Sequence, residues 1–153
     1  GAFAVLRRAE GSMVVWGAPY FGGDSSAVRQ YLTDGVQEVF TSTQSFAVLR
    51  EGGQVVSWGR PTHGGDSNVV RAKLAQGVRR VFATDGAFSA LREDGSVISW
   101  GHRHFGGFST AVKKHLEGGV QQVYCTGSAF AAVKDDGTLV TWGNQECGGN
   151  VVE

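Results

Sequence analysis

Proline is nearly missing from this chain, and sulfur is scarce. With only two prolines in 153 residues, polyproline segments and collagen-like repeats are excluded. Two cysteines cannot build the disulfide framework of a small secreted scaffold. Cys125 falls in the repeat column of Thr41 and Ala83, and Cys147 in that of Phe21, His63 and Phe105. Neither column needs sulfur elsewhere, so both are expected to be free thiols, and the redox compartment stays open. An excess of either charge is lacking too: 14 Lys+Arg balance 14 Asp+Glu. That removes the net basic field behind general nucleic-acid binding, leaving room only for a local patch. No apolar run has the length of a membrane-spanning helix, and no secretory signal is visible. The chain starts at Gly1, as a processed protein or a piece of a longer one would.

Glycine is the residue in excess, at 24. Glycine without proline, held at fixed positions, points to many tight turns. Those positions belong to a repeat. Trp16, Trp58, Trp100 and Trp142 are each 42 residues apart and each is followed by glycine. Phe46, Phe88 and Phe130 lie twelve residues before their tryptophans, while Phe3 lies thirteen before Trp16, so the first hairpin carries one inserted residue. The pairs Gly22-Gly23, Gly64-Gly65, Gly106-Gly107 and Gly148-Gly149 keep the same step, as do Val36, Val78 and Val120. A period of this length means one supersecondary unit copied along the chain. The chain therefore reads as a single repeat domain, 1–153: a half repeat 1–35, repeats over about 36–77 and 78–119, and a final partial repeat 120–153.

Each unit follows one grammar. Residues 46–49 and 55–58 are short runs rich in β-branched and aromatic residues, separated by Glu51-Gly52-Gly53. Asp94-Gly95 and Asp136-Gly137 take that place later, and such pairs supply the positive torsions of a hairpin turn. Val39-Phe40, Val81-Phe82 and Val123-Tyr124 supply a preceding strand. Three strands per unit form a meander. After each Trp-Gly come four variable residues, the glycine pair, and a segment such as Asp24-Ser25-Ser26 leading to Val28, Tyr31 and Leu32. This predicts an N-capped amphipathic helix of two turns, stopped by Gly35, Gly77 or Gly119. Hairpin strands apolar on both faces, with small residues at Ala4, Ala47, Ser89 and Ala131, predict sheets stacked face to face. The tryptophans then read as structural residues that pack sheet on sheet.

The texture Val78-x-x-Val81, then Ala87-Phe88-Ser89-Ala90-Leu91, Asp94-Gly95 and Val97-Ile98-Ser99-Trp100-Gly101 resembles the regulator of chromosome condensation repeat family. The resemblance covers nearly the whole chain. It implies a mainly β fold with short helices, built as a β-propeller, with an open β-solenoid arc as the alternative. Family members form seven-bladed rings that act as exchange factors for small GTPases, as chromatin binders, or as targeting domains of ubiquitin ligases. Three departures stand out. The repeat is 42 residues where the family's usually exceeds fifty. The Gly-Gly-Asp-Ser segment replaces a Gly-Gln-Leu-Gly stretch, and phenylalanine replaces a histidine near the central strand. The shortened unit is similar to arrays found in unicellular algae. Three and a half copies do not close a seven-bladed ring, so the expectation is a partial array or small ring whose edges a partner or further repeats would cover.

Candidate recognition residues lie in the variable quartets, because rim loops tolerate change while strands do not. They are Tyr20, Phe21, Arg60, His63, His102, Arg103, His104 and Phe105, mostly of the aromatic and arginine types that dominate binding hot spots. His102 and His104 with His63 lack a recurring carboxylate or thiolate at ligand spacing, so no metal site is assigned. Asp24 and Asp66 read as helix caps, and Phe108 in their column rules out a repeated catalytic acid. No nucleophile elbow, phosphate loop or dinucleotide fingerprint occurs. Arg71, Lys73, Arg79 and Arg80, with Lys113 and Lys114, read as solvated faces. The expectation is a non-enzyme without cofactor or small-molecule substrate: a protein-binding scaffold, and an accessory subunit of a larger, photosynthetic membrane complex. Its association with the membrane would be peripheral, in a chloroplast or other intracellular setting, with no role for nucleic acid. A regulatory domain of the exchange-factor or ligase-targeting type is the alternative.

Overall fold

A computed structural model describes all residues, 1–153. Its eleven strands form four separate antiparallel sheets, or blades, in chain order. Blade one is the hairpin β1 (Ala2–Arg7) and β2 (Ser12–Gly17). Blade two is β3 (Val36–Thr41), β4 (Ser45–Arg50) and β5 (Val55–Gly59). Blade three is β6 (Val78–Ala83), β7 (Ala87–Arg92) and β8 (Val97–Gly101). Blade four is β9 (Val120–Cys125), β10 (Ala129–Lys134) and β11 (Leu139–Gly143). The middle strand is central in each three-stranded meander. This is a partial β-propeller-like array.

Register explains the sequence columns. Phe3 pairs with Trp16, Phe46 with Trp58, Phe88 with Trp100 and Phe130 with Trp142. The rings stack at 5.3–5.6 Å in all four blades. The inserted residue of the first hairpin sits in its turn: residues 8–11 separate paired Arg7 and Ser12, whereas 51–53 separate Arg50 from Gln54, whose carbonyl accepts the Arg50 N–H. The first strand of each complete blade carries a bulge two residues from its start, between Val36 and Glu38 and again at Val78/Arg80, which re-aims the strand as it leaves the glycine.

Alternation on the central strand sends one set of side chains to each neighbouring blade. Phe46 and Val48 face back to blade one, where Ala2, Ala4, Leu6, Met13 and Val15 meet them around Leu32. Ala47 and Leu49 face forward onto Phe88, Ala90 and Trp100 around Leu74. Leu91 and Val97 face forward onto Phe130, Ala132 and Trp142 around Leu116. Three blade-to-blade cores hold the array together, each including one leucine from the end of a helical segment: Leu32, Leu74 or Leu116. Hydrogen bonds repeat the step: Thr43 N–H donates to Asp85 O and Asp85 N–H to Gly127 O, at 2.9 and 2.8 Å.

The segment after each glycine pair differs from the expected two-turn α-helix. Ser26–Tyr31 and Thr110–Leu116 are 3₁₀ helices, and only Arg71–Leu74 closes an α turn, after a 3₁₀ turn at Asn68–Val70. Segments this short form few i→i−4 bonds, so the tighter turn competes. Capping is corrected too. The serines at the helix starts make no side-chain cap. Asp24 and Asp66 instead accept the N–H two residues ahead, from Ser26 and Asn68, both at 2.9 Å, forming Asx turns just outside the helix. The stops hold: Gly35, Gly77 and Gly119 have φ of 68°, 75° and 74°. The last blade has no helical segment after Gly149. Residues 150–153 run back along β11, with Thr141 N–H donating to Val151 O and Asn150 N–H to Thr141 O.

Candidate functional site

The four quartets after Trp-Gly all emerge at one end of the blades, opposite the hairpin turns. A glycine starts each of them. Gly17, Gly59, Gly101 and Gly143 have φ of 109–124°, a region closed to L side chains, and a Cβ at Gly59 would lie 2.8 Å from Gln44 O. Each of the four quartets then winds one 3₁₀ turn, as at Pro19–Phe21, Pro61–His63 and Arg103–Phe105.

The rim glycine of one blade seats the aromatic pair of the next. A Cβ on Gly22, Gly64 or Gly106 would fall 2.5–2.6 Å from the ring of Phe46, Phe88 or Phe130. The Trp58 Nε1–H donates to Gly22 O at 3.0 Å and the Trp100 Nε1–H to Gly64 O at 3.1 Å. Trp142 donates instead to Ser99 Oγ at 2.9 Å. Trp58, Trp100 and Trp142 are buried. Trp16 differs from them in exposure. It is 48% exposed, because its face of blade one carries no packed neighbour.

Of the eight rim residues singled out by sequence, the structure brings six into one strip. Tyr20 meets Phe21 edge to face at 5.7 Å, and the Arg60 guanidinium lies 5.3 Å over the Tyr20 ring. His63, in the same loop as Arg60, is 5.0 Å from His102 and 6.1 Å from Phe105, ring to ring. His102 also packs on Phe105 at 5.3 Å. His104 joins at the margin, 5.6 Å from His102. Arg103 is exposed and makes none of these contacts. Loops from three blades thus form one surface.

The strip is held from beneath. Ser42 Oγ donates to His63 O at 3.1 Å, Ser45 Oγ to Arg60 O at 3.0 Å, and Thr84 Oγ1 to Phe105 O at 2.7 Å. Arg60 also donates to Gln44 Oε1, and a Cβ on Gly86 would strike the Phe105 ring at 2.6 Å. Sequence reasoning missed these supports in the bends between first and second strands. Their signal was the polar step Thr41-Ser42-Thr43, Ala83-Thr84-Asp85, Cys125-Thr126-Gly127.

No carboxylate occurs in the first three quartets, so the strip is cationic and aromatic although the chain is neutral overall. Burial, with Arg60 and His102 nearby, holds the His63 imidazole below its ordinary range. No three His, Cys, Asp or Glu side chains converge as metal ligands. His63 Nδ1 is engaged by Thr62 Oγ1 at 2.9 Å, and His102 Nδ1 accepts the His104 N–H at 3.3 Å. A groove of about 490 Å³ lies between the helical segments that follow blades one and two. Its carboxylates, Asp24 and Asp66, are tied into their Asx turns. Both thiols are free, and Cys125 Sγ donates to Ala83 O at 3.3 Å.

Among solved structures, the chain is similar to human WBSCR16, with a TM-score of 0.54 and 19% identity over 93% of this chain. At that identity the likeness is one of fold alone. The match spans 45% of the WBSCR16 chain. Yeast RCC1 (Prp20), solved bound to Kap60, aligns at a TM-score of 0.49 with 18% identity, over 71% of this chain and 29% of that one. No family model matches the sequence, and no curated protein matches it. No helix is long and apolar enough to cross a membrane.

Proposed function

We propose that this array is a non-catalytic scaffold that binds another protein through the rim strip of Tyr20, Phe21, Arg60, His63, His102 and Phe105, with Arg103 and His104 at its margin. The observation that carries the reading is the convergence of variable residues from three loops on one supported surface, while the repeated residues are spent on packing. A partner suited to the strip presents carboxylates beside apolar groups, since arginine and aromatic side chains desolvated together dominate affinity. The finer reading, an accessory subunit docked on a photosynthetic membrane complex, rests on the resemblance of the 42-residue unit to repeat arrays of unicellular algae.

A photo-crosslinking residue at position 20 or 102 tests the proposal in native extract. The same protein should be captured from both positions and not from Glu51, exposed at the opposite end of the blades. Capture from Glu51 alone would place recognition on the other end. Acceleration of nucleotide release from a small GTPase would move the chain to the regulatory class.

A further inference from the structure

The outer faces of the first and last blades are open in complementary ways. On the outer face of blade one, Phe3 is 63% exposed, Trp16 48%, Val5 47% and Val14 37%. These four sit in adjacent cross-strand pairs, Phe3 with Trp16 and Val5 with Val14, so the patch is contiguous. Their counterparts in blade two, Phe46, Trp58 and Val48, are buried by blade one, with Val56 packed against the same core. At the far end, the forward face of blade four presents Tyr124 and Leu139, 59% and 45% exposed, beside half-buried Ala131, Val133 and Thr141. Leu6, Met13, Ala4 and Val15 hold the equivalent columns in blade one and cover blade two. A Cβ on Gly148 would meet nothing within 4 Å, where Gly22, Gly64 and Gly106 each press on a phenylalanine. Trp16 Nε1 has no acceptor among the hydrogen bonds of the chain, in contrast to the other three tryptophans.

We propose that these faces are the two halves of one more blade-to-blade joint, and that two copies of this chain associate head to tail through it. The occupant is identified by the chain itself, which makes the same joint three times internally. Phe3 of one copy stacks on Gly148 of another, and the Trp16 indole N–H reaches the Gly148 carbonyl. Tyr124, Val133 and Leu139 cover Val5, Val14 and Trp16. One component differs. Leu32, Leu74 and Leu116 seal the internal joints, whereas residues 150–153 occupy the corresponding edge of β11. The joint between copies is therefore weaker than those within the chain, in roughly the micromolar range. Because the two surfaces differ, the contact is heterologous and propagates into chains or closes into a ring.

Sedimentation velocity of the 1–153 chain from about 1 to 200 μM tests this, read alongside tryptophan emission. The sedimentation coefficient should rise with concentration while emission shifts to the blue, since Trp16 is the tryptophan still exposed. Val5→Glu blocks the head and Leu139→Glu the tail. Each alone should remain monomeric across the range, with near-ultraviolet dichroism unchanged, and Trp16→Arg should repeat the head result. An equimolar mixture of Val5→Glu and Leu139→Glu retains one good head and one good tail, so it should form pairs and stop there. A wild-type chain that stays monomeric throughout overturns the proposal. So does self-association of Leu139→Glu alone, which would mean that two heads pair face to face.

Discussion

Replacing Trp100 by alanine separates a packing column from a recognition column. Trp100 is 4% exposed, stacks on Phe88 at 5.6 Å and donates to Gly64 O at 3.1 Å. Truncating a buried tryptophan costs about 3–5 kcal/mol, and a buried carbonyl left without its donor adds to the loss. That is a large share of the roughly 5–15 kcal/mol that holds a domain of this size together. Trp16 occupies the same column, is half exposed and shares only the Phe3 stack at 5.4 Å. Trp16→Ala should lose about 0.5–1.5 kcal/mol, the worth of an aromatic pair. Urea unfolding followed by far-ultraviolet dichroism, at a concentration where the chain is monomeric, measures both. Equal losses at the two positions would refute the stacking account, as would a Trp100→Ala loss below about 1 kcal/mol.

Gly106→Ala and Gly148→Ala share a left-handed backbone, φ 94° and 91°, so both pay about 1–2 kcal/mol of backbone strain. Only the first also drives a Cβ to 2.5 Å from Phe130, and its melting should show a further loss of about 1–3 kcal/mol. His63 has a folded pKa below its ordinary 6.5, so the unfolded chain binds the extra proton more readily. Its contribution is complete above about pH 6.5 and is lost as pH falls through the window beneath. His63→Gln should flatten the stability–pH curve there. Asp94 and Asp136 are held below 3.8 by hydrogen bonds from Ser96 and Thr138. Their contribution is present above that value and disappears on acidification through their lower folded pKa, with Asp136→Asn as the check. Burial raises the Cys125 thiol, so iodoacetamide should label Cys147 first, as peptide mass spectrometry would show.

Periodicity made the blades legible because each 42-residue unit has identical work to do. The Phe–Trp pairs, hairpin glycines and stop glycines all fell where their spacing put them. Two things were not readable from a column. One was the helical segment, where composition announced an amphipathic turn but could not choose between 3₁₀ and α closure over six or seven residues. The other was position in the array. Trp16 obeys the column in sequence, yet burial of a blade face depends on a neighbour packed against it, and the outer face of blade one is exposed. The rim residues could be nominated by variability alone. Their convergence through Arg60 on Tyr20 and His63 on His102 required the three-dimensional stacking of blades.

The central claim is that the repeated residues build the array and the variable rim residues recognise a partner. A variant carrying Arg60→Ala, His102→Ala and Phe105→Ala, compared with wild type by quantitative affinity capture from native extract and by thermal melting, tests it directly. The account predicts a partner captured by wild type and reduced at least about tenfold in the variant, as expected for hot-spot arginine and aromatic side chains, with the melting transition nearly unchanged. Equal recovery of the same partner by both proteins would contradict it.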